Sequence, residues 1–157
     1  YEIMPSLVGS EMCIRDRLHP GDLKAAFFEI ESDSHNDFQG HWHPVGGLGW
    51  EDKVKQDITV DYLGVELQSP DPLELAELWG KVAGLNIARN GAEFSMDFNN
   101  ATIRFVEAED GRGPGLGGLD IAVANRDHIL SEAENRDCFV SEDRVDICGT
   151  RWYLHDS

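Results

Sequence analysis

The chain has 157 residues, 41% of them hydrophobic, and its 30 Asp and Glu residues outnumber its 13 Lys and Arg, for a formal charge of −17 at pH 7. This acidity excludes nucleic acid as a partner, because binding to the phosphate backbone needs clustered Lys and Arg, and it argues equally against an anionic membrane surface. The sequence contains no run of about 18 apolar residues, so we expect no membrane span.

The first residues do not resemble a natural protein segment. Residues 7–16 read LVGSEMCIRD, which resembles the translation of a sequencing adapter. We therefore expect residues 1–16, or 1–17 with the codon at the junction, to be foreign to the natural chain and to contribute nothing to its fold. It follows from the same expectation that the natural chain is truncated at its N-terminus.

Residues 18–31 follow, with a turn at Pro20-Gly21-Asp22 and then the stretch AAFFEIES, which is rich in aromatic and β-branched residues. This composition predicts one strand up to Glu31. In that strand Glu29 alternates with Phe28 and Ile30, so its carboxylate lies on one face, either as a solvated side chain or as a ligand.

Residues 32–58 show no sustained hydrophobic period, and their Ser, Asp, His, Gly and Pro content predicts a linker. The segment also contains three histidines and two tryptophans, namely His35, His41, His43, Trp42 and Trp50. A zinc site is one interpretation, but a His-x-His pair without downstream cysteines is a weak signal. An aromatic connector whose tryptophans pack on neighbouring domains is the favoured one.

The stretch from Val60 to Gly84 changes from a two-residue to a helical hydrophobic period. Leu63, Val65 and Leu67 alternate with Tyr62, Gly64 and Glu66, which predicts a strand with one face toward a helix. Asp71 is a good N-cap with Pro72 behind it, which predicts a helix that ends at Gly84. Its buried stripe consists of Leu75, Leu78, Trp79 and Val82.

Two short alternating runs come next, GAEFSMDF and ATIRFVEA, and they predict a hairpin. In the second run Ile103 and Phe105 share one face, so Arg104 lies on the other. Arg104 either lines the concave side of the sheet or serves as a cross-strand ion-pair partner. The glycine-rich residues 109–118 lack the order of a phosphate-binding loop and precede a strand, which favours a flexible connection.

A second copy of the strand and helix follows in residues 118–134, with the helix beginning near Arg126. Strands are predicted at residues 144–148 and 150–155, and the alternation of Arg151, Tyr153 and His155 with apolar residues indicates a strand at a sheet edge. Cys138 and Cys148 have no CxxC spacing and no neighbouring histidine. We therefore predict two reduced core thiols, the second inside a strand, and a cytoplasmic location.

The repeated unit resembles the vicinal oxygen chelate superfamily of glyoxalase, bleomycin-resistance and dioxygenase-like proteins. The resemblance is carried by DYLGVELQSPDPLELAELWGKVAGL and GLDIAVANRD and covers about 100 of the 157 residues. It implies an α+β fold in which paired βαβββ modules, at about residues 59–108 and 116–157, form a cup-shaped sheet. Residues 18–31 would be the last strand of a truncated upstream domain of the same kind, joined by the linker at 32–58.

The resemblance also implies where a divalent metal would bind. The first-strand ligands fall on Tyr62 and Asp120, and the last-strand glutamates fall on Tyr153 and next to Glu107. A complete ligand set is absent, so no metal is predicted for residues 59–157. The ligand-binding cup is predicted at Tyr62, Glu66, Arg104, Asp120 and Tyr153. For the upstream domain, the pattern from His19-Pro20 onward implies Glu29 as a ligand of a divalent metal.

Three functions remain open at this stage. In the first, the chain is a fragment of a two-domain, metal-dependent lyase, isomerase or dioxygenase whose chemistry took place in the missing upstream domain. In the second, residues 59–157 are a non-catalytic domain that binds a small molecule, as in the resistance-type relatives. In the third, they are a structural lid. Whether the chain is an enzyme stays open, as does assembly into a homodimer.

Overall fold

The computed structural model describes residues 14–32, 49 and 51–157. The histidines and tryptophans of the predicted linker, His35, His41, His43, Trp42 and Trp50, lie outside the described residues. The strands are β1 Ile14–Leu18, β2 Phe28–Ser32, β3 Thr59–Ser69, β4 Ala88–Asn90, β5 Glu93–Asp97, β6 Thr102–Glu107, β7 Gly115–Val123, β8 Phe139–Ser141, β9 Arg144–Ile147 and β10 Thr150–Asp156. The helices are α1 Pro20–Leu23, α2 Pro72–Ala83 and α3 Arg126–Glu134, with a short 3₁₀ turn at Glu51–Lys53.

Eight strands form one sheet in the order β4-β5-β6-β3-β7-β10-β9-β8. The first half, β3-α2-β4-β5-β6, and the second half, β7-α3-β8-β9-β10, have the same topology, and their first strands pair antiparallel in the middle of the sheet. In each half the first and last strands pair in parallel. The predicted α+β fold of paired βαβββ modules is therefore confirmed. We call the two halves the first and second modules.

Helix α2 has the predicted limits. Asp71 is the N-cap and its carboxylate accepts a hydrogen bond from the backbone N–H of Glu74 at 2.9 Å, while the left-handed Gly84 ends the helix. Leu75 and Trp79 are buried against the sheet, as the helical period predicted. The core of this module also contains Leu67, Phe94, Met96, Ile103 and Phe105.

The segment before the linker packs on this core from outside. Strands β1 and β2 form an antiparallel hairpin around α1, and the Trp79 indole N–H donates to the Leu23 carbonyl at 3.0 Å. The Phe28 ring meets Trp79 edge-on at 5.3 Å between centroids. The turn predicted at Pro20-Gly21-Asp22 is the short helix α1, and the strand predicted after it up to Glu31 is β2, while the place of residues 18–31 in an upstream domain stays a prediction. Strand β1 also includes residues 14–16 of the segment that resembles an adapter.

The second module has a smaller core, consisting of Ile121, Val123, Ala133, Val145 and Leu154. Helix α3 begins at Arg126 as predicted, with Asn125 as its N-cap. Strand β10 lies between β7 and β9, so its prediction as an edge strand is wrong. Cys148 is exposed in the β9–β10 turn rather than buried in a strand, because Cys148 and Gly149 both have positive φ, 52° and 78°, as a tight hairpin turn requires.

The pairing of β3 with β7 differs from the sequence prediction in two places. Tyr62 pairs with Ile121 but Gly64 pairs with Asp120, so Leu63 has no partner in β7 and remains 36% exposed instead of facing the core. The predicted flexible connection at residues 109–118 ends earlier than expected, because Gly115 already belongs to β7. Glu66 pairs with Gly118 and Leu67 with Leu116, which leaves Gly117 as the extra residue of a β-bulge.

Candidate functional site

The candidate site lies on the sheet face that points away from α2 and α3, which we call the cup face. Side chains alternate along each strand, so the neighbours of the buried Leu67, Phe105 and Leu154 point to this opposite face. They are unusually polar: Glu66 and Gln68 of β3, Arg104 of β6, Asp120 of β7, and Arg151, Tyr153 and His155 of β10.

Arg104 is the centre of the cup face. Its Nη1 lies 2.7 Å from Glu66 Oε2, and its Nη2 and Nε lie 2.9 and 3.1 Å from Asp120 Oδ2. The two carboxylate side chains are only 3% and 12% exposed. Burial lowers the pKa of the Arg104 guanidinium, but the charges and hydrogen bonds of Asp120 and Glu66 outweigh it and raise that pKa above its ordinary value. Arg104 therefore stays charged and joins the first strands of both modules.

Arg151 forms a second ion pair with the same glutamate. Its Nε donates to Glu66 Oε1 at 2.7 Å, and its Nη2 donates to Gln68 Oε1 at 2.8 Å. Gln68 in turn donates to Asp110 Oδ1 at 2.7 Å and to the Gly113 carbonyl at 3.1 Å. The loop between β6 and β7 is thus fastened to the cup face through side-chain hydrogen bonds. We call Glu66, Arg104, Asp120 and Arg151 the ion-pair cluster.

The bulge at Gly117 makes room for this cluster. A Cβ atom at Gly117 would overlap the Arg151 guanidinium and would lie 2.9 Å from Glu66 Oε1. A Cβ atom at Gly118 would lie 2.8 Å from the Arg151 carbonyl oxygen and 2.9 Å from the Tyr153 ring. All of these contacts are shorter than a Cβ atom tolerates, so this arrangement of Arg151, Glu66 and Tyr153 requires glycine at both positions.

Tyr153 and His155 border the cluster on β10. The Arg104 guanidinium carbon lies 4.6 Å from the centroid of the Tyr153 ring, within the range of a cation–π contact. Burial, followed by the charge of Glu66, raises the pKa of the Tyr153 phenol, and burial followed by the charge of Asp120 does the same for Tyr62. Because their pKa values are raised, both phenols are protonated at neutral pH. His155 borders the cluster from the same strand, with its Nε2 3.0 Å from Asp120 Oδ1.

Two cavities open beside the cluster, and Tyr153 lines both. One has a volume of about 320 Å³ and reaches Glu66, Arg144 and Arg151. The other has a volume of about 410 Å³ and reaches Arg104, Asp143 and His155. Pockets that hold small molecules are typically about 300–1,000 Å³ in volume. Each cavity is therefore large enough for a small polar molecule.

The structure brings four of the five predicted cup residues into contact: Glu66, Arg104, Asp120 and Tyr153. The fifth, Tyr62, is 46% exposed on β3 and close enough to Asp120 for that charge to affect its pKa. Arg104 combines both interpretations open from the sequence, since it lies on the cup face and forms cross-strand ion pairs. The predicted role of these five residues in ligand binding is still a prediction.

Sequence reasoning missed Gln68, Arg151 and His155. Their signal was present, because Gln68 comes two residues after Glu66, and Arg151 and His155 share the alternation of Tyr153. It also missed Asp110, which reaches the site from a loop. Nothing in the local sequence around Asp110 indicates a partner 42 residues away.

The donor set on the cup face does not fit a divalent metal. Asp120 already bridges Arg104 and His155, and the protonated phenols of Tyr62 and Tyr153 provide no anionic oxygen. Among the residues that the structure describes, no three His, Cys, Asp or Glu side chains are arranged to hold a metal ion. Glu29, the ligand implied for an upstream domain, forms an ion pair with Arg17 at 2.7 Å.

No protein-family model and no curated protein matches the sequence. The chain is similar to the structure of a hypothetical protein from Staphylococcus aureus, with a TM-score of 0.54 and 11% identity over 99% of this chain and 55% of that one. It is also similar to a methylmalonyl-CoA epimerase from Mycobacterium tuberculosis, with a TM-score of 0.46 and 15% identity over 64% of this chain and 90% of that one. In the part of the chain that the structure describes, no helix is both long and apolar enough to cross a membrane. The paired βαβββ modules, joined through β3 and β7, give this chain the vicinal oxygen chelate fold.

Proposed function

We propose that residues 59–157 form a small-molecule-binding domain that holds its ligand on the cup face through arginine and tyrosine side chains rather than through a metal. The observation that carries this proposal is the position of Arg104, which bridges Glu66 and Asp120 where the first strands of the two modules meet. The resemblance to the vicinal oxygen chelate superfamily implies metal ligands on these strands. In this chain an arginine occupies the space and neutralises the carboxylates.

The ion-pair cluster suits binding because it is rigid before a ligand arrives. Arg104 and Arg151 are held by short contacts to side chains that are themselves buried, so little side-chain entropy is lost when a ligand binds to them. The two cavities place polar groups on either side of one aromatic ring, Tyr153. A small polar molecule would therefore find both hydrogen-bonding groups and an apolar wall.

The catalytic alternative concerns an upstream domain. In that hypothesis a divalent metal bound there supports lyase, isomerase or dioxygenase chemistry, with Glu29 as one ligand. The Glu29 carboxylate forms an ion pair with Arg17 at 2.7 Å, and this contact favours a structural role for it. We further propose a cytoplasmic location and assembly into a homodimer, and a structural lid is the third function that we consider for residues 59–157.

The binding proposal is tested by titrating the full chain, in EDTA, with a panel of small carboxylates, ammonium compounds and neutral polyols, while backbone amide signals are recorded by NMR. We expect at least one chemical class to give saturable shifts at Glu66, Arg104, Asp120 and Tyr153. Tyr153→Leu should weaken that binding at least tenfold, about 1.4 kcal/mol, because it removes the wall that both cavities share.

The matched control is Phe139→Leu, which makes a similar change at a ring that is 40% exposed on β8. This variant should bind the same compounds with unchanged affinity. Saturable shifts that map away from the cup face, or no saturable shift for any class, would refute the proposal. Equal losses for the two variants would refute the assigned location.

A further inference from the structure

The loop between β6 and β7 covers one end of the cup face. Gln68 points to this face, yet it is only 1% exposed, because Asp110 and Gly113 of the loop contact its side chain from outside. Two residues with positive φ, Gly111 at 75° and Gly113 at 80°, let the loop bend back over the sheet. The loop therefore lies where a ligand on the cup face would reach Gln68.

The Asp110 carboxylate connects this loop to the sheet. Its Oδ1 accepts a hydrogen bond from Gln68 Nε2 at 2.7 Å, and its Oδ2 lies 3.7 Å from Nη1 of Arg151. Within the loop, Arg112 donates to Oδ2 from Nε at 2.8 Å and from Nη2 at 2.6 Å, and its backbone N–H donates to Oδ1 at 2.9 Å. These hydrogen bonds lower the pKa of Asp110, so the group is a carboxylate at neutral pH.

The groups of the sheet that receive this carboxylate are held in place without the loop. Gln68 Oε1 accepts a hydrogen bond from Arg151 Nη2 at 2.8 Å, and this contact turns the amide so that its Nε2 faces outward. Arg151 is held in turn by Glu66 Oε1 at 2.7 Å. An amide N–H from β3 and a guanidinium from β10 thus form a preorganised pair of donors. Carboxylates suit such a pair, because charge-assisted hydrogen bonds to them are strong and little side-chain entropy is lost.

We propose that Asp110 holds the place of a ligand carboxylate, and that the cup face binds a small monocarboxylate through Gln68 and Arg151 when the Asp110 side chain moves away. This inference rests on the proposed function and names the chemical class of its ligand. The Asp110 side chain is 27% exposed, so solutes reach it from solvent. Because Asp110 competes for the same donors, the wild-type chain binds the ligand more weakly than the vacated site does.

The adjoining cavity of about 320 Å³ limits the rest of the ligand. Glu109, next to Asp110 in the chain, and Arg151 both line this cavity, so a carboxylate at the Asp110 position can extend its body into it. The wall also includes Glu93 and Glu107. These carboxylates repel a second negative charge on the ligand. The geometry therefore favours one carboxylate with a neutral body over a dicarboxylate.

The test measures propionate binding to the full chain by NMR, at an ionic strength held constant with sodium chloride. The signals are the side-chain amide of Gln68 and the backbone amide of Gly113. Asp110→Ala vacates the carboxylate position and should bind propionate about tenfold more tightly than the wild-type chain, and more tightly than it binds malonate. Asp110→Ser is the second variant, because its hydroxyl can still accept from the Arg112 backbone N–H and keep the turn, and it should gain affinity in the same direction.

Two controls separate occupancy of the position from charge. Asp110→Asn removes the same charge but still fills the position, so it should gain less than about twofold. Glu132→Ala frees Arg136 from an exposed ion pair of 3.0 Å on α3 and should leave propionate binding unchanged. Adding Gln68→Glu to Asp110→Ala replaces the amide donor by a carboxylate of the same shape, and it should abolish the gain at Gly113.

Equal gains in Asp110→Asn and Asp110→Ala would overturn the proposal, because net charge would then govern binding. Equal shifts with propionate and with added chloride would overturn it as well, since the site would bind any anion. If neither Asp110→Ala nor Asp110→Ser gains affinity while another class of compound still shifts Glu66 and Tyr153, this inference fails and the proposed function stands. If no compound shifts the cup face in any of these chains, both fail.

Discussion

Replacing Arg104 by methionine is the perturbation that examines the ion-pair cluster most closely. The substitution keeps an unbranched side chain about as long as the aliphatic part of arginine and removes the guanidinium charge that Glu66 and Asp120 share. Loss of one partner from a buried ion pair typically costs about 3–5 kcal/mol. Each carboxylate keeps one other partner, Arg151 for Glu66 and His155 for Asp120, so we expect a smaller loss of about 2–3 kcal/mol.

The assay is urea denaturation at pH 7 followed by circular dichroism, with a thermal melt in which Tm should fall by about 4–12 °C. The matched control is Arg136→Met, whose pair with Glu132 is 73% and 47% exposed and should contribute less than about 0.5 kcal/mol. Adding Asp120→Asn to Arg104→Met should restore part of the stability, because it removes one stranded charge. If Arg104→Met costs no more than Arg136→Met, the cluster is not a buried network and the argument fails.

Three further predictions concern packing and pH. Trp79→Ala should cost about 3–5 kcal/mol, and a measured loss below about 1 kcal/mol would show that the module core is assigned incorrectly. Gly117→Ala should cost about 1–3 kcal/mol by displacing Arg151, while Gly115→Ala, which has open space around it, should change stability little; equal effects would contradict the role of the bulge. Hydrogen bonds from Arg112 lower the pKa of Asp110, so this group stabilises the fold above its ordinary pKa near 4 and that contribution is lost as the pH falls below 4. Urea titrations from pH 7 to pH 2 should show a smaller acid-dependent loss in Asp110→Asn, and an unchanged loss would refute the assignment.

Local patterns were enough to predict the architecture of the modules. Asp71, Pro72 and Gly84 specify the limits of α2 through chemistry that acts within a few residues. The two-residue period of β3 and β6 placed Glu66 and Arg104 on one face of the sheet, because alternation is a property of each strand alone. For these elements the sequence carries the information in short segments.

The missed features depend on how distant segments meet. The Arg151–Glu66 pair joins residues 85 positions apart and requires the bulge at Gly117, which arises only when β7 is paired with β3. A glycine-rich stretch such as residues 115–118 is locally typical of a loop, and only the neighbouring Arg151 of β10 explains why this strand has glycine at positions 117 and 118. Cys148 was placed in a strand for a related reason, since its left-handed backbone follows from the tight β9–β10 hairpin that it forms with Gly149 and not from its own residue type.

The most direct test of the central claim, that an ion-pair cluster occupies the cup face in place of a metal site, is a calorimetric titration of the full chain with Mn²⁺, Zn²⁺ and Mg²⁺. Because Asp120 is held by Arg104 and His155, and because the neighbouring phenols are protonated, we predict no stoichiometric site on the cup face with a dissociation constant below about 1 μM, roughly −8 kcal/mol. A site tighter than this that Asp120→Ala abolishes would contradict the account and would move metal-dependent chemistry to the cup face.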